Sequence, residues 1–185
     1  MLTARLEEDG VTITVGQPEA PHTIRVFEEP SCPFCRRFEA AVGPKLTALA
    51  ALGSVRIQYT VASFLDDRRG DDSSRRAAAA LRAALERGKF PEFRAALMAS
   101  GPADHTPRFL RQIADTVPGL NGPGFQDDLR NGSYETWAAN SQRAFANSGH
   151  SATPTVLVDG RAVHPDVVKY DVDAFTAFLA DSGIS

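Results

Sequence analysis

Cysteine is scarce in this chain. Its 185 residues include two cysteines, one tryptophan, two methionines and four histidines. Two cysteines exclude the disulfide framework that staples small secreted scaffolds. Long apolar runs are missing as well. None approaches the ~20 residues that cross a bilayer, so no transmembrane segment is expected. Residues 1–10 lack the apolar centre of a signal peptide, and the chain as given reads as cytoplasmic. A protein already trimmed of an export signal, with a start methionine added, would read the same and would be extracytoplasmic. Excess charge is also lacking. Lysine and arginine total 20 against 23 aspartates and glutamates, for a net charge of −3. That balance argues against nucleic acid or an acidic membrane surface as partner. With 43% hydrophobic and 23% charged residues, the composition is that of one globular domain, or one domain carrying an insertion.

The two cysteines lie two residues apart, in Cys32-Pro33-Phe34-Cys35. Before them, residues 23–27 are β-branched and aromatic and read as a strand. After them, Phe38, Ala41, Val42, Leu46 and Leu49 recur at three and four residues and read as an amphipathic helix. The thiols therefore sit where a strand hands over to a helix. Pro33 suits the first helical turn, where its missing N–H would have had no partner. First-turn N–H groups and the helix dipole favour negative charge on Cys32, which should ionise below an ordinary thiol. Cys35, one turn in, should be more buried. Such a pair can exchange disulfides through a mixed disulfide at Cys32 that Cys35 resolves. The rival is half of a zinc site. A structural zinc needs two further ligands, and His22, His105, His150 and His164 show no ligand spacing, so no metal is expected.

Along the rest of the chain, residues 11–15 alternate as a short edge strand and residues 55–61 form another strand. Pro44, after Gly43, should kink or break the helix that follows the motif. From residue 66 to 149 helices dominate. Asp71, Asp72, Ser73 and Ser74 offer N-caps to a helix over residues 75–87 that ends at Gly88. Phe90, Phe93 and Leu97 mark a second helix, Thr106-Pro107 opens a third, and residues 125–129 and 134–147 are further helices. This segment reads as a subdomain with its own small core, and Met98, Trp137 and Phe145 read as core rather than site. Residues 152–163 read as strand, turn and strand around Asp159-Gly160, a strong hairpin signal. Asp171 to Asp173 cap a last helix.

In this order, strand, Cys-x-x-Cys, helix, strand, helices, Thr-Pro, hairpin and helix, the chain resembles the thioredoxin superfamily. The long helical segment before Thr153-Pro154-Thr155 is similar to the DsbA-type branch. The resemblance implies an α/β fold of thioredoxin type, a central mixed sheet flanked by helices, with residues 1–65 and 150–185 forming that domain. Residues 66–149 would be an all-helical insertion of DsbA type. It implies a cis bond at Thr153-Pro154 facing Cys32, with Thr153 and Pro154 binding an extended substrate segment. It implies a protein disulfide oxidoreductase whose redox centre is its own Cys32–Cys35 disulfide, with no other cofactor. Its partners would be cysteine-bearing proteins and an unidentified redox partner.

Two positions depart from the family pattern. The buried acid that many members carry six residues before the first cysteine is Val26 here. Glu28 and Glu29 lie nearer the motif and offer a substitute for it, but the favoured reading is that they are solvated, as glutamates usually are. Phe34 replaces the histidine of the strongest oxidases, so Cys32 should be a weaker acid than theirs, although Arg36 and Arg37 are close. Two other readings stay open: an enzyme of glutaredoxin or glutathione-transferase type acting on glutathione adducts, and a non-catalytic thioredoxin-fold binding module. The motif equally serves an oxidase, a reductase or an isomerase.

Overall fold

Strand β3, His22–Glu28, holds the centre of the molecule. The computed structural model describes residues 2–101 and 104–184; Met1, Pro102, Ala103 and Ser185 lie outside them. Strand β3 pairs in parallel with β4, Val55–Val61, and antiparallel with β5, Thr155–Val158. Two short strands, β1 (Ala4–Leu6) and β2 (Ile13–Val15), extend the sheet beyond β4, and β6, Arg161–Ala162, closes the other side. The order is β1-β2-β4-β3-β5-β6, a mixed sheet as expected. Strand β2 is not the edge that its sequence suggests. The unforeseen β1 covers it, pairing Ala4 with Val15 and Leu6 with Ile13.

The β3-to-β4 crossover is α1, Pro33–Ala51, which buries Phe38, Val42, Leu46 and Leu49. The break expected at Pro44 does not occur, and the helix runs through it. Pro44 and Ala40, whose carbonyl loses its partner, both lie on the exposed face, where water can take up the freed carbonyl.

Among the described residues six helices lie between β4 and β5: α2 (Leu65–Arg69), α3 (Ser73–Glu86), α4 (Phe90–Ala99), α5 (Pro107–Asp115), α6 (Pro123–Asn131) and α7 (Glu135–Ala146). Helix α3 is the hub. Its buried alanines, Ala77 to Ala80, Ala83 and Ala84, are small enough for α4, α6 and α7 to approach closely. Of the expected caps at its start, Asp71 accepts from the Ser73 N–H at 3.0 Å. Asp72 makes no side-chain cap bond. Instead the Asp66 carboxylate, reaching over from α2, accepts from the N–H groups of Ser74 at 2.7 Å and Arg75 at 2.8 Å. At the other end Gly88 adopts φ 63°, which lets the Lys89 N–H reach back to the Ala84 carbonyl.

The helical segment has no separate core. Its Leu81, Phe90, Phe93, Leu97 and Leu110 belong to one continuous buried cluster with Ile24, Val26, Phe38 and Ile57. A small second cluster joins Phe27 of the sheet to Phe145 of α7. After β6 come α8, Pro165–Tyr170, which was not foreseen, and α9, Val172–Asp181, capped by Asp171 as expected. In the β5–β6 turn Asp159 (φ 48°) and Gly160 (φ 80°) make the tight hairpin. The Asp159 carboxylate ties that turn back to the Thr23 N–H and to His22.

Candidate active site

Cys32 is the N-cap of α1 and Pro33 its first residue, so the chain turns from β3 into the helix at the first thiol. The turn is pinned by the Cys32 N–H donating to the Glu29 carbonyl at 3.0 Å. Both thiols are free, and they are 6% and 3% exposed. Cys32 Sγ lies 3.4 Å from the Thr153 carbonyl oxygen. The next peptide bond, Thr153-Pro154, is cis. Cys35 Sγ accepts from the Glu29 N–H at 3.4 Å. The sequence-expected residues Cys32, Pro33, Phe34, Cys35, Thr153 and Pro154 thus meet in one place.

The two thiols differ in acidity. The Cys35 thiol, with Thr153 and the Cys35 and Phe34 backbones, stabilises charge on Cys32 against the cost of burial and brings its pKa down to about 5. Burial pushes Cys35 the other way, and a charged Cys32 beside it adds to the rise. At neutral pH the reduced pair holds one thiolate, on Cys32, and one proton, on Cys35.

Three sequence readings are corrected here. Glu28 and Glu29 are not solvated; they are 1% and 0% exposed. Glu28 is held by Arg94, whose Nε and Nη2 lie 2.9 and 2.6 Å from its two oxygens. Arg94 Nη1 reaches Glu39 at 2.7 Å, and its guanidinium stacks 4.1 Å over the Tyr59 ring. Burial opposes the charge on Arg94, but Glu28, Tyr59 and Glu39 outweigh it and raise its pKa. Gly43 makes room for this network, since a Cβ there would overlap the Glu39 carboxylate. Glu29 has no such partner, and neither of its carboxylate oxygens is hydrogen-bonded. Burial, aided by the neighbouring Cys32 charge, outweighs the pull of the nearby Ser74 hydroxyl, Ser31 backbone and Arg69 and pushes it up to about 7. The third correction is Met98. It is buried, but it packs on Cys32 and Cys35, with Phe34 and Leu65 alongside.

Other contributors escaped the sequence reading. His105 is buried, with Nδ1 3.1 Å from Ser73 Oγ and 3.5 Å from Ser31 Oγ. Burial brings its pKa down to about 4, so it is neutral. Ser31, next to Cys32, also accepts from the Ser74 hydroxyl. On the outer side Phe34 meets Tyr170 edge-on at 5.8 Å, with Arg37 and Lys169 over its ring. Arg94 had a signal: positions 90, 93, 94 and 97 share one helical face, and three of the four are large and apolar. For His105, Lys169 and Tyr170 no spacing gave notice. Among the described residues no three His, Cys, Asp or Glu side chains converge as a metal site, and no helix is long and apolar enough to cross a membrane.

Comparison with known proteins bears on this arrangement. The chain spans 30% of the length of the curated relatives it matches. These are the serine/threonine-protein kinases PknE of Mycobacterium tuberculosis and Mycobacterium bovis, 30% identical over 174 residues that take in 86% of this chain. Among solved structures, BdbD from Bacillus subtilis superposes with a TM-score of 0.76 at 20% identity, over 95% of each chain. The thiol-disulfide oxidoreductase MdbA from Actinomyces oris gives 0.78 at 16%, over 94% of this chain and 86% of that one. A thioredoxin-like oxidoreductase from Silicibacter pomeroyi gives 0.66 at 26%, over 92% and 98%. A family model described as Thioredoxin matches residues 8–179. That span runs from before β2 into the last turn of α9 and takes in both the thiol pair and the Thr153-Pro154 loop, and on it the chain belongs to the thioredoxin family.

Proposed function

We propose that this protein is a thiol–disulfide oxidoreductase acting on protein cysteines, with Cys32 as nucleophile and Cys35 as resolving thiol. The observation that carries the reading is the asymmetry of the pair: Cys32 is drawn to about 5 while Cys35 is raised by burial. In the oxidised protein a client thiolate attacks Cys32 Sγ. The Cys32–Cys35 bond breaks, and Cys35 leaves with the electron pair and takes a proton. A second client thiolate then attacks the client sulfur of the mixed disulfide and releases Cys32 as thiolate. The client leaves oxidised by two electrons and the protein reduced by two. No cofactor enters.

Glu29 is the group we assign to the Cys35 proton. Its backbone N–H meets Cys35 Sγ at 3.4 Å, and its carboxyl is buried, close enough to Cys32 to feel its charge and poised near neutrality, as a proton carrier must be. The Thr153 carbonyl, at the edge of the groove beside Pro154, is placed to meet the backbone of an extended client segment. The insertion, residues 66–149, roofs that groove through Met98. The low pKa of Cys32 stabilises the reduced form, which makes the disulfide oxidising. That favours net oxidation of clients over reduction or isomerisation, in an extracytoplasmic compartment where disulfides persist. A separate redox partner must return the protein to its oxidised state.

The test is capture. Cys35→Ser should accumulate reductant-sensitive mixed disulfides with client proteins on a non-reducing gel, because nothing resolves the Cys32 bond. Cys32→Ser should capture none. If Cys35→Ser holds glutathione alone, the glutaredoxin-like reading replaces this one.

A further inference from the structure

In the insertion Arg75 pairs with Asp72, Arg76 with Asp104, Arg87 with Asp128 and Arg130 with Asp127, while Arg108, Arg111 and Arg143 have no ion-pair partner among the described residues. Four cations stand close around the thiols. Arg36, Arg37, Arg69 and Lys169 have no ion-pair partner among the described residues. They come from three elements, α1, α2 and α8, and flank the motif on both sides. Arg69 Nη2 lies 3.5 Å from the carbonyl of Ser31, just before Cys32. Arg37 Cζ and Lys169 Nζ lie 5.7 and 5.2 Å from the centre of the Phe34 ring, just after Pro33. Arg36 follows Cys35 directly and is half-buried.

The acids on these elements make no ion pair with the rim cations. Asp66 of α2 is turned inward, where it caps α3. Asp166 of α8 stands by His164, at the opposite end of that helix from Lys169. Asp67 is the remaining acid on α2. Four cations without an ion-pair partner thus stand around the reactive thiol of a chain whose net charge is −3, and of these Arg69 also feels the Asp71 and Glu29 carboxyls. An exposed cation over a ring is weakly held and keeps its N–H donors free, and arginine donors match a carboxylate bidentately.

We propose that this rim selects client segments whose cysteine is flanked by aspartate or glutamate. The inference rests on the thiol–disulfide reading and adds the class of client to it. A segment laid past Cys32 meets positive charge before the thiol, at Arg69, and after it, at Arg37 and Lys169. Carboxylates at those places gain from steering on approach and from charge-assisted hydrogen bonds once docked. The reaction itself is the exchange already written: two client thiols are oxidised as the Cys32–Cys35 bond is reduced.

The test compares reduction of the oxidised protein by two dithiol peptides of equal length, one with Asp and Glu beside its cysteines and one with Lys, followed by quenched flow and mass spectrometry. At low ionic strength the acidic peptide should react about tenfold faster. Near 1 M salt the difference should shrink to about twofold, since screening is then nearly complete. The double variant R37E/K169E should invert the order, and R37Q/K169Q should level it. Equal rates at low salt, or an unchanged order in both variants, would overturn the proposal. Reduced glutathione supplies a third arm: if it outpaces both peptides while they show no order, the rim reads a small anionic thiol and the proposal falls. If no thiol reduces the protein, the oxidoreductase reading fails too, a result distinct from exchange without preference.

Discussion

Cys32 Sγ lies 3.4 Å from the carbonyl oxygen of Thr153, 121 residues further along the chain. The contact joins the start of α1 to the loop entering β5, and β3 brings the two together. It leads into the Cys32–Cys35 pair at its N-terminal end and pairs with β5 through Ile24 to Phe27. The thiol therefore faces a backbone acceptor on a neighbouring loop as well as the N–H groups of its own helix.

The first prediction concerns acidity. Alkylation of the reduced protein by iodoacetamide should fall on Cys32, with a rate that rises through about pH 5 and is flat by pH 7. An ordinary thiol would still be rising there. A value near 5 lies between the roughly 7 of thioredoxin and the roughly 3.5 of the strongest oxidase. Equilibration in glutathione buffers should accordingly place the potential between about −270 and about −120 mV. Labelling of Cys35 first would overturn the assignment of the two thiols.

The same thiol should make stability depend on redox state and pH. In the unfolded chain Cys32 ionises near about 8.5, and in the folded reduced protein near about 5. The folded value is the lower, so this stabilisation is complete above the unfolded value and fades as pH falls through the folded one. Urea unfolding should show the reduced form gaining on the oxidised form between about pH 5 and 8.5. A gap that does not vary with pH would count against a Cys32 thiolate in the folded protein.

Glu29 has the opposite sign. Its folded value, about 7, is above its ordinary 4.5, so the favourable contribution belongs to the protonated form. It is complete below pH 4.5 and lost as pH rises through 7. Glu29→Gln keeps a neutral side chain at every pH. It should leave stability nearly unchanged at pH 4.5 and raise it by up to about 3 kcal/mol at pH 8. Exchange with clients should slow by roughly 10²-fold, the usual weight of a lost proton carrier. The inflection near pH 7 in its rate profile should vanish. Unchanged kinetics together with the stability gain would leave Glu29 without a role in proton transfer.

Removing Arg94 should be costly. Arg94→Met leaves Glu28 and Glu39 without their counter-charge and should destabilise by about 3–5 kcal/mol in urea unfolding. Arg94→Lys should recover only part, because one ammonium cannot reproduce the fork that grips both Glu28 oxygens. Adding Glu28→Gln and Glu39→Gln to Arg94→Met should restore much of the loss, since the buried charges then go together. A triple variant no more stable than Arg94→Met would mean that the arginine acts through packing rather than charge.

The sequence by itself determined the helix start at Pro33, the β-branched run of β3, the hairpin at Asp159-Gly160 and the spacing of the thiols. These are local matters, set by backbone sterics, capping and side-chain period, and each is written within a few neighbouring residues. It also carried a sign that Arg94 faces inward, through the shared helical face of Phe90, Phe93 and Leu97. The tertiary structure decided the rest. Glu28 and Glu29 are adjacent acids with the same sequence context. One is buried against an arginine 66 residues away and the other is buried without a partner. Their acidities follow from that packing, because desolvation and distant charges set a pKa and neither is a property of neighbours along the chain. Pro44 forms no break because both it and Ala40 face water, and α3 takes its cap from α2 because the turn at Gly70 brings Asp66 back over its first N–H groups. Met98 became a neighbour of the thiols, rather than plain core, when α4 packed on α1. Contacts of this kind depend on which surfaces meet, and only the folded chain determines that.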